Sequence, residues 1–338
     1  MWLVYIVIII FLILLLFAKL ILNVIFGKRC EGNPNLKYFT ANDFEELENQ
    51  KIEFESNKGQ KLRGYIYTNK RIEKYKGLII FVHGMGAGHL SYTTEINTLA
   101  KAGYKVMSYD NTGTCMSEGK SLVGFYQAVI DLKYAIDFVN NNENLNKYDI
   151  SLVGHSWGAY TVCQVLNFTS NIKSVVAFSG PNNSSKLICD LMGGGKVNLN
   201  FLKIFFDIIN LFTFGKKSLK NTTEILKKSG VSILLLHGDL DSTCSVKNSL
   251  IADKNIFDDN SNIKTVLYEN KYHNVYQTRE SEKYLNEIFA NISKLTKDSK
   301  KDESVKEKLN EIYNNIDYKK ITEEDAEVMK TVIDFLDN

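Results

Sequence analysis

The sequence predicts an α/β protein built on a mostly parallel sheet. Short apolar runs alternate with stretches of helical spacing along most of the chain. One of these runs, Leu78 to Val82, is apolar throughout, as a strand covered on both faces must be. Another short run, with Ile150, Leu152 and Val153 apolar, passes into Gly154-His155-Ser156-Trp157-Gly158 and then into a helical pattern, so a serine stands at a strand–turn–helix junction.

The elements follow in order. Residues 2–18 carry no charge; Lys19 interrupts, and Leu20 to Phe26 resume. As one helix, 2–26 would be about 37 Å long at ~1.5 Å per residue, enough to cross a bilayer. A cleaved signal peptide is the competing reading. Against it stand the missing basic start, the long apolar run and the lack of a small-x-small cleavage site. Gly27-Lys28-Arg29-Cys30 is no lipobox. Residues 1–27 are therefore read as a retained single-pass membrane anchor. Lys19, Lys28 and Arg29 all follow the span, which predicts an external N-terminus and a cytoplasmic main domain.

Residues 28–50 read as a polar linker or surface helix. Residues 51–56 and 62–67 alternate with period two and predict an antiparallel hairpin. Strands are expected at 77–82, 105–110, 150–153, 172–178, 231–236 and 263–268, which makes eight. Helices are expected near 89–102, 124–140, 159–166, 246–253 and 279–295. Residues 182–230 break this rhythm with a triple glycine and a phenylalanine-rich stretch. They are read as a small helical cap over the site, the alternative being a core helix. Residues 51–296 form the main domain. Residues 297–338 read as a two-helix appendage, packed on the surface or binding a partner, with Thr322 and Asp325 resembling a capping box.

Composition narrows the function classes. The chain has 338 residues, 44% hydrophobic and 24% charged, as in a globular protein. A net charge of +2 gives no electrostatic case for nucleic acid. The five cysteines form no CxxC or Cys/His cluster, so neither zinc nor a disulfide framework is expected. No phosphate loop or dinucleotide fingerprint is present, and no cofactor is expected.

The chemistry starts at Ser156. Glycines at 154 and 158 suit a turn so tight that side chains there would strike the neighbouring strand and helix. Serine needs a base to take its proton. His273 is the candidate: His83, His155 and His237 belong to other motif positions, leaving His89 as the rival. An acid must hold the imidazole; Asp241 and Asp239 compete.

His83-Gly84-x-Gly86, Gly154-x-Ser156-x-Gly158, His237-Gly238-x-x-Asp241 and His273-Asn274, in this order and each after a strand, resemble the α/β-hydrolase fold. Within it the chain looks most like the serine aminopeptidase and monoacylglycerol lipase-like branch and its membrane-anchored bacterial members, over about residues 50–295. The resemblance implies Asp241 as the acid. It implies backbone N–H groups of Met85 and Trp157 as the oxyanion hole, with His83 and His237 structural. The loop Asp110 to Ser117 lacks the family's arginine-glycine pair, which weakens transfer of substrate identity. The expected activity is a serine hydrolase cleaving carboxylic esters, acyl or lipid-derived, such as monoacylglycerol or lysophospholipid. A peptidase, amidase or thioesterase on the same residues is the alternative, and a non-catalytic binding module a further one.

Overall fold

The computed structural model describes residues 1–86, 88–298 and 303–338. Ala87, in the loop after the third strand, and residues 299–302 of the expected appendage lie outside the described residues. Eight strands form one sheet: β1 (Leu47–Glu55), β2 (Lys61–Asn69), β3 (Leu78–Val82), β4 (Lys105–Tyr109), β5 (Ile150–His155), β6 (Ser174–Phe178), β7 (Ser232–Gly238) and β8 (Ile263–Tyr268). Their order is β1-β2-β4-β3-β5-β6-β7-β8. β1 and β2 pair antiparallel, as do β2 and β4, and all other pairs are parallel.

The alternation of side chains across each strand sends two apolar sets to two faces. Ile80, Leu152, Val175, Ala177 and Leu235 pack against helices α3 (Gln127–Asn140) and α4 (Trp157–Gln164). Ile79, Phe81, Val153, Val176 and Leu234 face the opposite way, onto α2 (Thr93–Lys101). With both faces covered, β3 is buried at all five positions. β1 is an edge strand exposed at most of its positions. Its first residues, Leu47-Glu48-Asn49-Gln50, show no apolar alternation, which is why the strand starts inside the stretch read as linker.

Three expectations are corrected here. The helix expected near 246–253 is replaced by single 3₁₀ turns at Val246–Asn248 and Lys254–Phe257. The insertion 182–230 is helical, with α5 (Ser184–Met192), α6 (Lys203–Phe214) and α7 (Thr222–Ser229). It does not cover the site, as shown below.

The third correction concerns the C-terminus. α8 (Arg279–Asp298) does not join either sheet-face core; it forms a small apolar cluster with α9 (Glu303–Asn314) and α10 (Tyr318–Ile321) through Ile288, Ile316 and Ile321. α11 (Ala326–Asp337) then returns to the sheet, where Val328, Met329, Val332 and Leu336 are buried with Ile79 and Phe81. α11 is therefore a core element, whereas α9 and α10 stay outside both sheet-face cores. Asp325 caps α11 itself, its carboxylate accepting from Glu327 and Val328 N–H, while Thr322 ends α10.

At the other end, α1 (Trp2–Phe26) lies against the domain along one stripe. Ala18 and Phe26 are buried, and Leu14, Leu15, Ile21 and Leu22 pack onto the same core. Just beyond it, the Arg29 guanidinium donates to the carbonyls of Cys115, Ser117 and Gly119, each at 2.8 Å.

Candidate active site

Ser156 sits at the apex between β5 and α4 with φ 56° and ψ −112°, a conformation side chains rarely adopt. The two glycines permit it. A Cβ at Gly158 would lie 2.0 Å from the Val82 carbonyl oxygen, and one at Gly154 2.4 Å from that of Gly158. The strained turn puts the Ser156 hydroxyl at the start of α4, where N–H groups and the helix dipole favour negative charge.

His273, after β8, brings its Nε2 to 2.9 Å from Ser156 Oγ and its Nδ1 to 2.8 Å from Asp241 Oδ2. Because the carboxylate can only accept, Nδ1 carries the proton and Nε2 is free to take one from serine. Asp241 is buried, yet it receives N–H bonds from Thr243 and Cys244 on Oδ1, and His237 Nε2 lies 3.2 Å from Oδ2. Burial acts to raise its pKa; the hydrogen bonds from His237 and His273 outweigh burial and hold the carboxyl well below its ordinary range. The Asp239 carboxylate instead accepts from the Lys271 N–H at 3.3 Å and is not part of this relay.

A second chain of bonds runs behind the first. The Gly84 N–H donates to Tyr92 Oη at 2.9 Å, and that hydroxyl lies 2.9 Å from His155 Nδ1. His155 Nε2 lies 3.2 Å from the His273 carbonyl oxygen, which can only accept. The tautomer follows: Nε2 carries the proton and the tyrosine donates to Nδ1. Burial, with the nearby His273 ring adding to it, pushes the His155 pKa down to about 3, so this ring is neutral at working pH. It joins the His83–Gly84 loop to the loop bearing His273.

A cavity of about 500 Å³ opens at Ser156. Met85, Gly86, His155, His273 and Tyr276 line it with the serine. Its outer wall comes from the two ends of the chain: Leu36 and Phe39 from the segment after α1, Leu285 and Phe289 from α8, and Ile321 from α10. No residue of 182–230 lines it.

Residues 73–192 match the family model of serine aminopeptidase, S33. An esterase of Pyrococcus furiosus is similar in structure, with TM-score 0.57 and 20% identity over 80% of this chain and 98% of that one. Pyrococcus horikoshii acylaminoacyl peptidase gives TM-score 0.51 and 15% identity over 69% of this chain and 38% of that one. Est1E of Butyrivibrio proteoclasticus, solved with ferulic acid bound, gives 0.50 and 17% over 66% and 90%. No curated protein matches the chain. This is the α/β-hydrolase fold.

The fold thus has its eight strands flanked by helices as the motifs implied, and it brings Ser156, His273 and Asp241 together. His83 and His237 sit buried in their turns: His83 Nε2 accepts from the Asn111 N–H, and His237 Nε2 lies 2.8 Å from the Cys244 carbonyl. His89, the rival base, is buried against Asp110 and does not reach the serine. Met85 borders the cavity, while the Trp157 side chain turns inward and its indole donates to the Phe125 carbonyl. Sequence reasoning did not find Tyr92 or the cavity wall. In the sequence His155 is only the variable residue of Gly154-x-Ser156-x-Gly158, and its ionisable ring is the one signal of a further role.

Proposed function

We propose that the chain is a membrane-anchored serine hydrolase of carboxylic esters with acyl or lipid-derived chains. The observation that carries this reading is the Ser156–His273–Asp241 relay at 2.9 and 2.8 Å, ending on a strained serine at a helix N-terminus. In the mechanism, Ser156 Oγ attacks the ester carbonyl while His273 Nε2 takes its proton. The oxyanion accepts N–H bonds from Met85 and Trp157. The imidazolium, steadied by Asp241, returns the proton to the leaving alcohol. Water, deprotonated by the same ring, then frees the acid from the acyl-enzyme.

The cavity wall supports an apolar acyl chain. Leu36, Phe39, Leu285, Phe289 and Ile321 supply it, and among the described residues no carboxylate lines the cavity. A peptidase that held a free amino terminus would gain from one. Of the three acids of the insertion, Asp190 and Asp207 are instead paired with Lys247 and Lys203, and Glu224 lies outside the cavity lining.

The anchor is α1. Its apolar window has mean hydropathy 3.1. Loss of this helix as a signal peptide would strip Ala18 and Phe26 from the core, which supports its retention. The positive charges after it favour a cytoplasmic catalytic domain.

The test is labelling of the full chain by a fluorophosphonate probe, alongside Ser156→Ala. Labelling is expected only in the parent, and hydrolysis is expected to fall by about 10⁴-fold or more in the variant. An acyl-ester series should show kcat/KM rising with chain length. Equal labelling of parent and variant defeats the mechanism; faster turnover of an amide or thioester, or of the shortest ester, defeats the substrate assignment.

A further inference from the structure

We propose that the outward face of α6 lies in the hydrocarbon of the membrane that holds α1, so that insertion and anchor share one apolar solvent. The proposal rests on α1 being a membrane anchor. Only 6% of the residues in the apolar window of α1 are buried in the protein, so most of its surface asks for lipid. Yet the Phe11 ring meets Phe205 of α6 at 5.2 Å, and the following turns of α1 pack on the same core. α6 therefore runs beside the middle of α1. Residues 2–10, which precede this contact, measure only about 14 Å at ~1.5 Å per residue, against a hydrocarbon core of ~30 Å. α1 cannot occupy hydrocarbon over its length while α6 stays in water.

The surface of α6 fits this placement. Ile204 is 57% and Phe212 85% exposed, and Phe201, in the turn leading to the helix, 60%. Leu191 and Val197, at and after the end of α5, are exposed as well. None of these lines the Ser156 cavity, so substrate does not explain them. The charges on α6 itself are Lys203 and Asp207, which neutralise one another one turn apart. Exposed lysines stand beyond both ends, Lys196 before and Lys216 and Lys217 after, where anionic headgroups would meet them. The occupant of the face is therefore the acyl chains of lipid, bounded by headgroups.

The chain holds two tryptophans, Trp2 in α1 and the buried Trp157. The full chain is placed in phosphatidylcholine–phosphatidylglycerol vesicles with brominated acyl chains. Trp2→Phe reports the background from Trp157. The double variant Trp2→Phe, Phe212→Trp reports α6. The expected result is bromine quenching of the indole at position 212 comparable with that of Trp2 in the parent. Quenching of Trp2 without quenching at 212 overturns the proposal and leaves the anchor standing, whether the new indole meets water or a protein partner. No quenching of Trp2 ends the anchor reading and the proposal with it. In parallel, Ile204→Glu with Phe212→Glu should slow hydrolysis of a vesicle-borne ester at least about tenfold, equivalent to ~1.4 kcal/mol. Turnover of a soluble short ester should be unchanged. Equal rates of parent and variant on vesicles also overturn the proposal.

Discussion

The insertion 182–230 and the segment 303–338 look alike as sequences: both are helical and both carry apolar stripes. The fold uses them in opposite ways. α6, with its run of phenylalanines, lies on the outside against α1 and away from the serine. α11, whose stripe is interleaved with charges, covers the sheet, and Ile321 just before it walls the cavity. Apolar content thus marks how much surface an element must hide. It does not say from what.

The largest test of this contrast is a charge in each stripe. Val332 is fully buried, so Val332→Asp should cost more than about 4 kcal/mol and leave the chain unfolded or aggregated. Phe212→Asp, on the outward face of α6, removes nothing from the protein core and should cost at most about 2 kcal/mol in detergent, where the side chain can reach the micelle surface. Denaturant titration of both measures the difference, and similar losses would erase it.

A smaller effect separates the two segments by pH. In the insertion, Asp190 and Asp207 are paired with lysines. Glu324, between α10 and α11, faces the buried Glu95 of α2, and each carboxyl has an oxygen without a partner. Burial, chiefly, raises Glu324 to about 7 and Glu95 well above its usual value. A raised carboxyl keeps its proton in the folded state after the unfolded chain has lost it. Its contribution to stability is complete below pH ~4.5 and is lost as pH climbs through about 7. Glu324→Gln should remove that loss and be more stable than the parent at pH 8 by about 2 kcal/mol, with little difference at pH 4. Parallel melting-temperature profiles for the two proteins would refute the pairing.

The smallest expected effect is in the cavity. Leu285→Trp should shorten the preferred acyl chain and lower kcat/KM for a long ester about tenfold against a short one, a change of ~1.4 kcal/mol. Ile204→Trp, on the insertion, should leave that ratio on soluble esters unchanged.

The strands and the serine turn were legible because their signals are local. Gly154 and Gly158 flank the nucleophile for steric reasons that a single turn contains, and strands buried on both faces write themselves as unbroken apolar runs. The early start of β1 was hidden because an exposed edge strand needs no apolar alternation at Glu48, Asn49 and Gln50. The capping role of Thr322 failed since Asp325, three residues on, caps the helix with its own carboxylate. The cavity wall was out of reach for a different reason. Leu36 and Leu285 are ordinary apolar residues from distant parts of the chain, and only the folded path makes them neighbours. Tyr92 is similar: nothing in its surroundings announces that its hydroxyl joins Gly84 to His155.

Arg29 has a mechanical meaning. Its three bonds to the carbonyls after β4 fix the chain just past α1 to the body of the domain, so the helix has no hinge there. An anchor on a flexible leash lets a domain tumble and sample every height above a surface. In the proposed reading α1 is a rigid post instead. With α1 in a bilayer, the mouth beside Ser156 would be held at one height and one tilt, and the depth at which the scissile bond must lie to be cut would be set by the length of a helix.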